Sequence, residues 1–112
     1  MSGEIDGWPA SEWSNGPGDH YPAHRHSYDK IVLTIAGSIT FRLPEVDASF
    51  ELNTGDRLDL PAGALHGADV ERDGVSCLEA RLPMGVLHEV RRHRGWSDAH
   101  RDASETITRQ GT

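Results

Sequence analysis

Two of the seven histidines in this sequence are spaced so that they could bind one metal ion together. His24 and His26 are separated by a single residue, and on a β-strand this spacing places both imidazoles on the same face. Such a strand offers two nitrogen ligands to a transition-metal ion with little rearrangement. Taken alone, the pair is more typical of an ordinary protein surface, so its meaning depends on the residues around it.

The composition narrows the classes of protein to consider. The 112 residues are enough for one domain, and 18 acidic against 11 basic residues give a formal net charge of -7. An acidic chain repels phosphate, which argues against a nucleic-acid partner. No apolar run approaches the roughly 20 residues that span a bilayer, so we expect no membrane partner. The first residues lack the features of a signal peptide, and we therefore expect a cytoplasmic protein.

The elements that must position the histidines are predicted to be short β-strands. Turn residues recur every 8–12 residues or so, which is typical of a β-sandwich or a small barrel. Two of these strands read as a hairpin with a tight turn at Gly37 and Ser38. The predicted strands are Lys30–Ala36, Ile39–Leu43, Ser49–Leu52, Arg57–Leu60, Leu65–Val70 and Val75–Leu82.

The chain divides by composition into three segments. Residues 1–15 form an arm with two tryptophans, which we expect to pack on the edge of the barrel or on a second subunit. Residues 16–90 contain the predicted strands. Residues 91–112 are polar, and this segment is predicted either as an irregular tail or as a short helix that Ser97 caps and that ends at Ser104.

Two segments of the central region have a recognisable order of residues. The first contains Gly18, His24, His26 and Gly37, and the second contains Gly55, Pro61, Gly63 and His66. In order and spacing they resemble the two signature motifs of the cupin superfamily, G-x5-H-x-H-x3,4-E-x6-G and G-x5-P-x-G-x2-H-x3-N. Lys30 and Val70 depart from these motifs. The resemblance covers about residues 16–83, and it implies an all-β, single-domain jelly-roll barrel.

The resemblance also implies a divalent transition metal in the mouth of the barrel, held by His24, His26 and His66. Three neutral imidazoles suit such an ion and leave a coordination position for water or a ligand. Iron, zinc, manganese and nickel all remain candidates. The resemblance further implies a small-molecule ligand and a homodimer that forms through barrel strands.

Lys30, the only lysine in the sequence, stands where the first motif has a glutamate ligand. Its parity with His26 predicts that it points into the barrel. Burial and the charge of the metal could deprotonate it and leave a three-histidine site, which is the outcome that we favour. Alternatively, it could turn away and pair with Asp29, Asp59 or Glu79. In a third alternative the site holds no metal, and Lys30 helps to bind an anion.

Three further residues are candidates for contact with the ligand. Tyr28 follows the histidine pair closely in the sequence. His20 has the parity of His24 and could line the entrance to the site. Glu79 shares a face of its strand with Cys77, and if that face points inward, Glu79 becomes a partner for Lys30.

Two classes of function follow from these residues. The first is a metal-dependent enzyme acting on a small, acidic molecule, with dioxygenase-like or isomerase-like chemistry and Lys30 as a catalytic group. The second is a non-catalytic module that binds or senses a small ligand, without metal and with Lys30 as the anion anchor. Since one fold supports many chemistries, the fold alone does not decide between them.

Overall fold

The computed structural model describes residues 2–95 and 104–106, and nearly all of its regular structure is β-strand. A single turn of 3-10 helix, Pro44–Val46, follows the fourth strand. The strands are β1 (Ser2–Ile5), β2 (Trp8–Asn15), β3 (His20–His24), β4 (Asp29–Leu43), β5 (Ala48–Asn53), β6 (Arg57–Leu60), β7 (His66–Leu82), β8 (Arg91–His93) and β9 (Ser104–Thr106).

The two longest strands, β4 and β7, form the centre of a curled antiparallel sheet. They pair from Asp29 opposite Leu82 to Arg42 opposite Gly67. On their other edges, β2 and β3 pair with β7, while β5 and β6 pair with β4. β1 extends the sheet beyond β2, and β8 and β9 extend it beyond β6. The all-β barrel predicted from the sequence is therefore confirmed.

The hairpin predicted at Gly37 and Ser38 is wrong, because both predicted strands belong to β4. The register of β4 against β7 shifts on either side of Gly37, which has a φ of 76°. A Cβ atom at Gly37 would lie 2.1 Å from the carbonyl oxygen of Gly74, so only glycine allows this close approach. Glycine here forms a bulge that bends the strand without reversing it. Likewise, the two strands predicted between residues 65 and 82 form the single strand β7.

Both faces of the first half of β4 are buried, which explains its continuous apolar sequence. Val32 points into the barrel and joins a core cluster with Leu58 and Cys77. Ile31 points the opposite way and packs in a second cluster with Ile5, which comes from β1. Ile5 of β1 therefore packs on the outer face of β4, while β2 continues the sheet beyond β7.

An ion-pair cluster, largely buried except for Asp6, connects the N-terminal hairpin to the barrel. Arg57 on β6 lies 3.0 Å from Asp6, in the turn after β1, and 2.7 Å from Asp59. His93 on β8 lies 3.2 Å from the other carboxylate oxygen of Asp59. Burial alone would raise the pKa of Asp59, but the hydrogen bonds from His93 and Arg57 outweigh it and lower the pKa.

The C-terminal segment contains strands where we expected a tail or a helix. β8 pairs with β6, and β9 pairs with β8. The predicted helix lies on residues outside those that the structure describes, except for Ser104, which begins β9. Within the described ranges, no helix has the length and apolar character needed to cross a bilayer.

Candidate metal centre

The three predicted histidines meet at one end of the barrel. His24 ends β3, His26 lies in the loop that follows, and His66 begins β7. Their ligand nitrogens all lie within 4.8 Å of one another, and the Nε2 atoms of His24 and His26 are 3.0 Å apart. With metal–nitrogen bonds of about 2.0–2.1 Å, two imidazoles on one ion have nitrogens about 2.9–3.4 Å apart. The spacing therefore fits two ligands of the same ion.

The expectation that His24 and His26 share a strand is wrong in one respect. β3 ends at His24, so alternation along a strand does not bring the two rings together. The loop of residues 25–28 turns the chain back toward β4, and this turn directs His26 to the same point. The rings of His24 and His26 are in edge contact, with centroids 4.6 Å apart.

Backbone carbonyls determine which nitrogen of two histidines is free to bind metal. The Nδ1 atom of His24 lies 2.9 Å from the carbonyl oxygen of Pro22, and that of His66 lies 2.9 Å from the carbonyl of Ala64. Because a carbonyl only accepts, Nδ1 donates in both rings and Nε2 keeps its lone pair. The Nε2 atom of His66 is buried and has no hydrogen-bond partner among the residues that the structure describes. A metal ion would satisfy this atom, so the residues present fit a metal centre.

Burial keeps His26 and His66 in the form that binds metal. His66 is 3% exposed, and this burial lowers its pKa to about 4, despite its bond to Ala64. Burial is also the main cause that lowers the pKa of His26, and the nearby Lys30 adds to it. Both rings are therefore neutral at pH 7, as metal ligation requires.

A buried carboxylate holds the loop that carries His66. Asp29, which is 1% exposed, accepts hydrogen bonds from the backbone N–H of Ala62 at 2.8 Å and of Leu87 at 2.6 Å. In the same loop, the N–H of Gly63 donates to the carbonyl of His26 at 2.9 Å. The two loops that carry ligands are thus bonded to each other and to the first residue of β4.

Lys30 points into the barrel, as predicted, and lies beside Glu79, but parity with His26 is not the reason, because His26 lies in the loop before β4. Its Nζ atom is 3.6 Å from Oε1 of Glu79, and the two side chains are only 11% and 12% exposed. Of the three acids considered as partners, Asp29 and Asp59 are bonded elsewhere. Burial is the main cause that lowers the pKa of Lys30, although Glu79 opposes it.

Two residues that the sequence analysis did not single out complete the surroundings of Glu79. The indole Nε1 of Trp13 donates to Glu79 at 2.9 Å, and Nε of Arg81 donates to its other oxygen at 3.2 Å. The parity of Glu79 on β7 could have indicated Arg81, which lies two residues further along. No pattern in the sequence indicates Trp13, because its position depends on how β2 pairs with β7.

The histidines and the charged residues line one open cavity of about 830 Å³. Tyr28, predicted as a ligand contact, lies in its wall and stacks on His26 with centroids 4.7 Å apart. The guanidinium of Arg81 lies 4.8 Å from the centroid of the Tyr28 ring. His20 does not line this cavity. Its ring is exposed, and its Nδ1 atom lies 2.6 Å from Oδ1 of Asp69. Strand β2 forms another part of the wall, from Pro9 to Asn15.

This barrel, with histidines at its mouth, has the cupin fold. It is similar to a cupin superfamily protein from Desulfitobacterium hafniense, with a TM-score of 0.60 and 20% identity over 74% of each chain. It is also similar to a conserved Streptococcus pyogenes protein of unknown function, with a TM-score of 0.57 and 16% identity over 67% of this chain and 63% of that one. No protein-family model and no curated protein matches the sequence.

The barrel is also similar to part of a larger enzyme. Oxalate decarboxylase from Bacillus subtilis aligns with a TM-score of 0.58 and 21% identity over 70% of this chain. The match spans only 22% of the length of that enzyme, which has Mn(II) centres. These similarities establish the fold, and the three histidines fit a metal-binding cupin.

Proposed function

We propose that this protein holds a divalent transition metal through His24, His26 and His66 and binds a small, acidic molecule beside it. The observation that carries the proposal is the buried Nε2 atom of His66. This atom has no hydrogen-bond partner within the described part of the chain and lies within 4.8 Å of the ligand nitrogens of the other two rings. A buried acceptor without a partner costs about 1–3 kcal/mol, and a bound ion removes this cost.

The charges around the cavity support an acidic ligand. The charged side chains in its wall are Lys30 and Arg81, which are positive, and Glu12 and Glu79, which are negative. These four charges balance, and the three ligands are neutral imidazoles. Because none of the three coordinating side chains is a carboxylate, the two positive charges of a bound metal ion remain uncompensated in the cavity. A carboxylate or an enolate would compensate them.

The side chains of the cavity have distinct roles in this proposal. Lys30 can exchange a proton with the ligand, while Glu79 holds the lysine in place. Tyr28 supports the ring of His26 and borders the ligand. A bound metal supplies Lewis-acid chemistry to a ligand oxygen, and a redox-active one such as iron extends this to dioxygenase-like reactions. Zinc, manganese and nickel suit isomerase-like reactions, and the Mn(II) centres of oxalate decarboxylase add support for manganese.

The alternative is a metal-free module that binds or senses a ligand, with Lys30 as its anion anchor. The pairing of Lys30 with Glu79 makes this alternative weaker, because the carboxylate already compensates the ammonium. Binding without turnover by metal-free protein would favour the alternative. For the intact protein we further propose a homodimer formed through barrel strands, without nucleic-acid or membrane partners. Sedimentation velocity tests the dimer.

Elemental analysis of the purified, untagged protein tests the metal centre. We expect close to one equivalent of a transition metal, and its loss in His66→Ala. His88→Ala is the matched control, because His88 is exposed and lies outside the histidine cluster. Wild-type protein that stays empty after reconstitution would contradict the proposal. If Lys30→Glu then takes up metal, Lys30 has taken over the function of the metal in the wild-type protein.

A further inference from the structure

Lys30 is an exception among the basic residues of this sequence. The other ten are arginines, and the one lysine lies in the wall of the cavity. Its side chain is 11% exposed, and its one ion-pair partner among the described residues, Glu79, is 3.6 Å away. That distance is longer than a normal hydrogen bond. The nitrogen is thus buried but accessible from the cavity.

The chemistry of lysine differs from that of arginine at such a position. Arginine is always charged, and its planar fork binds a carboxylate through two hydrogen bonds, so it is the better residue for anchoring an anion. Only lysine can become a neutral amine that attacks carbon. Burial lowers the pKa of Lys30, which increases the fraction of the neutral form. A lysine at this position can therefore act as a nucleophile, which an anion anchor does not need to do.

We propose that Lys30 forms an imine with the carbonyl group of a small oxo acid that enters the cavity. The lone pair on Nζ attacks the carbonyl carbon, and the new C–N bond gives a carbinolamine as the carbonyl oxygen takes up a proton. The nitrogen then loses a proton, and the hydroxyl group takes up this proton and leaves as water, while the lone pair on the nitrogen forms the C=N bond of a protonated imine. No oxidant or reductant is required.

Glu79 is placed to carry these protons. Its Oε1 atom is 3.6 Å from Nζ, within reach of a direct transfer after a small movement or of a transfer through one water molecule. Trp13 and Arg81 fix its two oxygens. Arg81 also provides a guanidinium in the same wall for the carboxylate of the oxo acid. The reaction uses the amine alone, so it does not rest on the proposed metal centre.

Reductive trapping tests the imine directly. The folded protein is incubated at neutral pH with glyoxylate and cyanoborohydride, which reduces an imine to a stable secondary amine. Intact-mass measurement and peptide mapping then locate the added carboxymethyl group. Because the chain has one lysine, the only other amine is the N-terminus, which serves as an internal reference. We expect Lys30 to react several-fold faster in the folded protein than in the urea-unfolded chain, because burial lowers the pKa of its amine.

Two further samples separate this proposal from the metal centre. Lys30→Arg keeps the charge and should lose the added mass at residue 30 while the N-terminus still reacts. Chelator-treated wild-type protein should still react at Lys30, so a failure of the metal proposal leaves this result unchanged. A Lys30 that reacts no faster in the folded protein than in the unfolded chain would overturn the proposal. The wild-type peptide map gives this answer even if the variant does not fold.

Discussion

Replacement of Asp29 by asparagine tests how far the fold and the histidine cluster depend on one buried group. In the wild type, the two carboxylate oxygens accept backbone hydrogen bonds at 2.8 and 2.6 Å. Asparagine keeps one of these acceptors and places an NH₂ group where the other was. One backbone N–H then faces a second donor, and both lack a partner.

The expected cost follows from these contacts. Loss of a hydrogen bond to a charged group costs about 1.5–3 kcal/mol, and an unsatisfied buried donor adds about 1–3 kcal/mol. Since Asp29 is 1% exposed, water cannot replace the lost partner. We therefore expect Asp29→Asn to lower the free energy of unfolding by about 3 kcal/mol or more. Urea unfolding measures this loss, with the slope m as the check that the unfolded state is unchanged.

The same substitution should weaken metal binding. Asp29 fixes the loop of Ala62 and Gly63, and that loop positions His66 and contacts His26. Groups that orient metal ligands typically contribute about 10–100-fold to affinity, and we expect a decrease in this range in a competition titration. Asp73→Asn, at an exposed position, is the control and should change stability by less than about 0.5 kcal/mol. A variant with wild-type stability and affinity would refute this reasoning.

Three further predictions concern other parts of the molecule. His66→Ala should remove the stabilisation that added metal gives, seen as a melting temperature that no longer responds to a chelator. Gly37→Ala should lower the free energy of unfolding by more than about 2 kcal/mol, since its Cβ would lie 2.1 Å from the Gly74 oxygen at a φ of 76°. Stability should also fall below pH 3.8, the ordinary pKa of aspartate. In the folded protein, burial acts to raise the pKa of Asp59, but the hydrogen bond from His93 helps to bring it below the ordinary value. The unfolded chain therefore binds the proton at a higher pH than the folded protein does, and protonation favours unfolding.

Two of these predictions have a comparison variant, and each has an outcome that would contradict it. Gly63 also has a positive φ, but a Cβ atom there would meet nothing within 4 Å, so Gly63→Ala measures the backbone strain alone. Equal losses in the two glycine variants would show that the clash at Gly37 has no effect. For the acid response, Asp59→Asn should flatten the profile of stability against pH below 3.8, and an unchanged profile would contradict the assignment. A chelator response retained in His66→Ala would show that the metal binds elsewhere.

Motif spacing predicted which histidines meet, although it did not predict the local structure that brings them together. His24, His26 and His66 converge because two loops turn the chain at the end of the barrel. Pro61 and Gly63 indicate the loop before His66, but residues 25–28 contain no glycine or proline that would indicate the other. The inward direction of Lys30 was also predictable, because it follows from alternation along β4. Val32, two residues further along the same face, lies in the barrel core.

Other features depend on contacts between residues that are distant in the sequence. Glycine at position 37 is compatible with a turn or with a bulge, and only its contact with Gly74 on another strand decides between them. The bond from Trp13 to Glu79 joins residues 66 positions apart. It requires the pairing register of β2 on β7, in which Trp13 lies opposite Cys77. No local sequence pattern predicts this pairing register, so the part of the cavity wall that β2 forms could not be predicted from the sequence.

The continuity of β7 has a consequence for how the cavity assembles. One strand carries His66 at its beginning and Glu79 near its end, and β4 pairs with both parts. A slip of one residue in either part would turn one of these side chains to the opposite face of the sheet. A partly paired barrel would therefore lack either the third histidine or the partner of Lys30. Affinity for the ion and for the ligand should develop together, late in folding, and each can report that the strands have closed in the correct register.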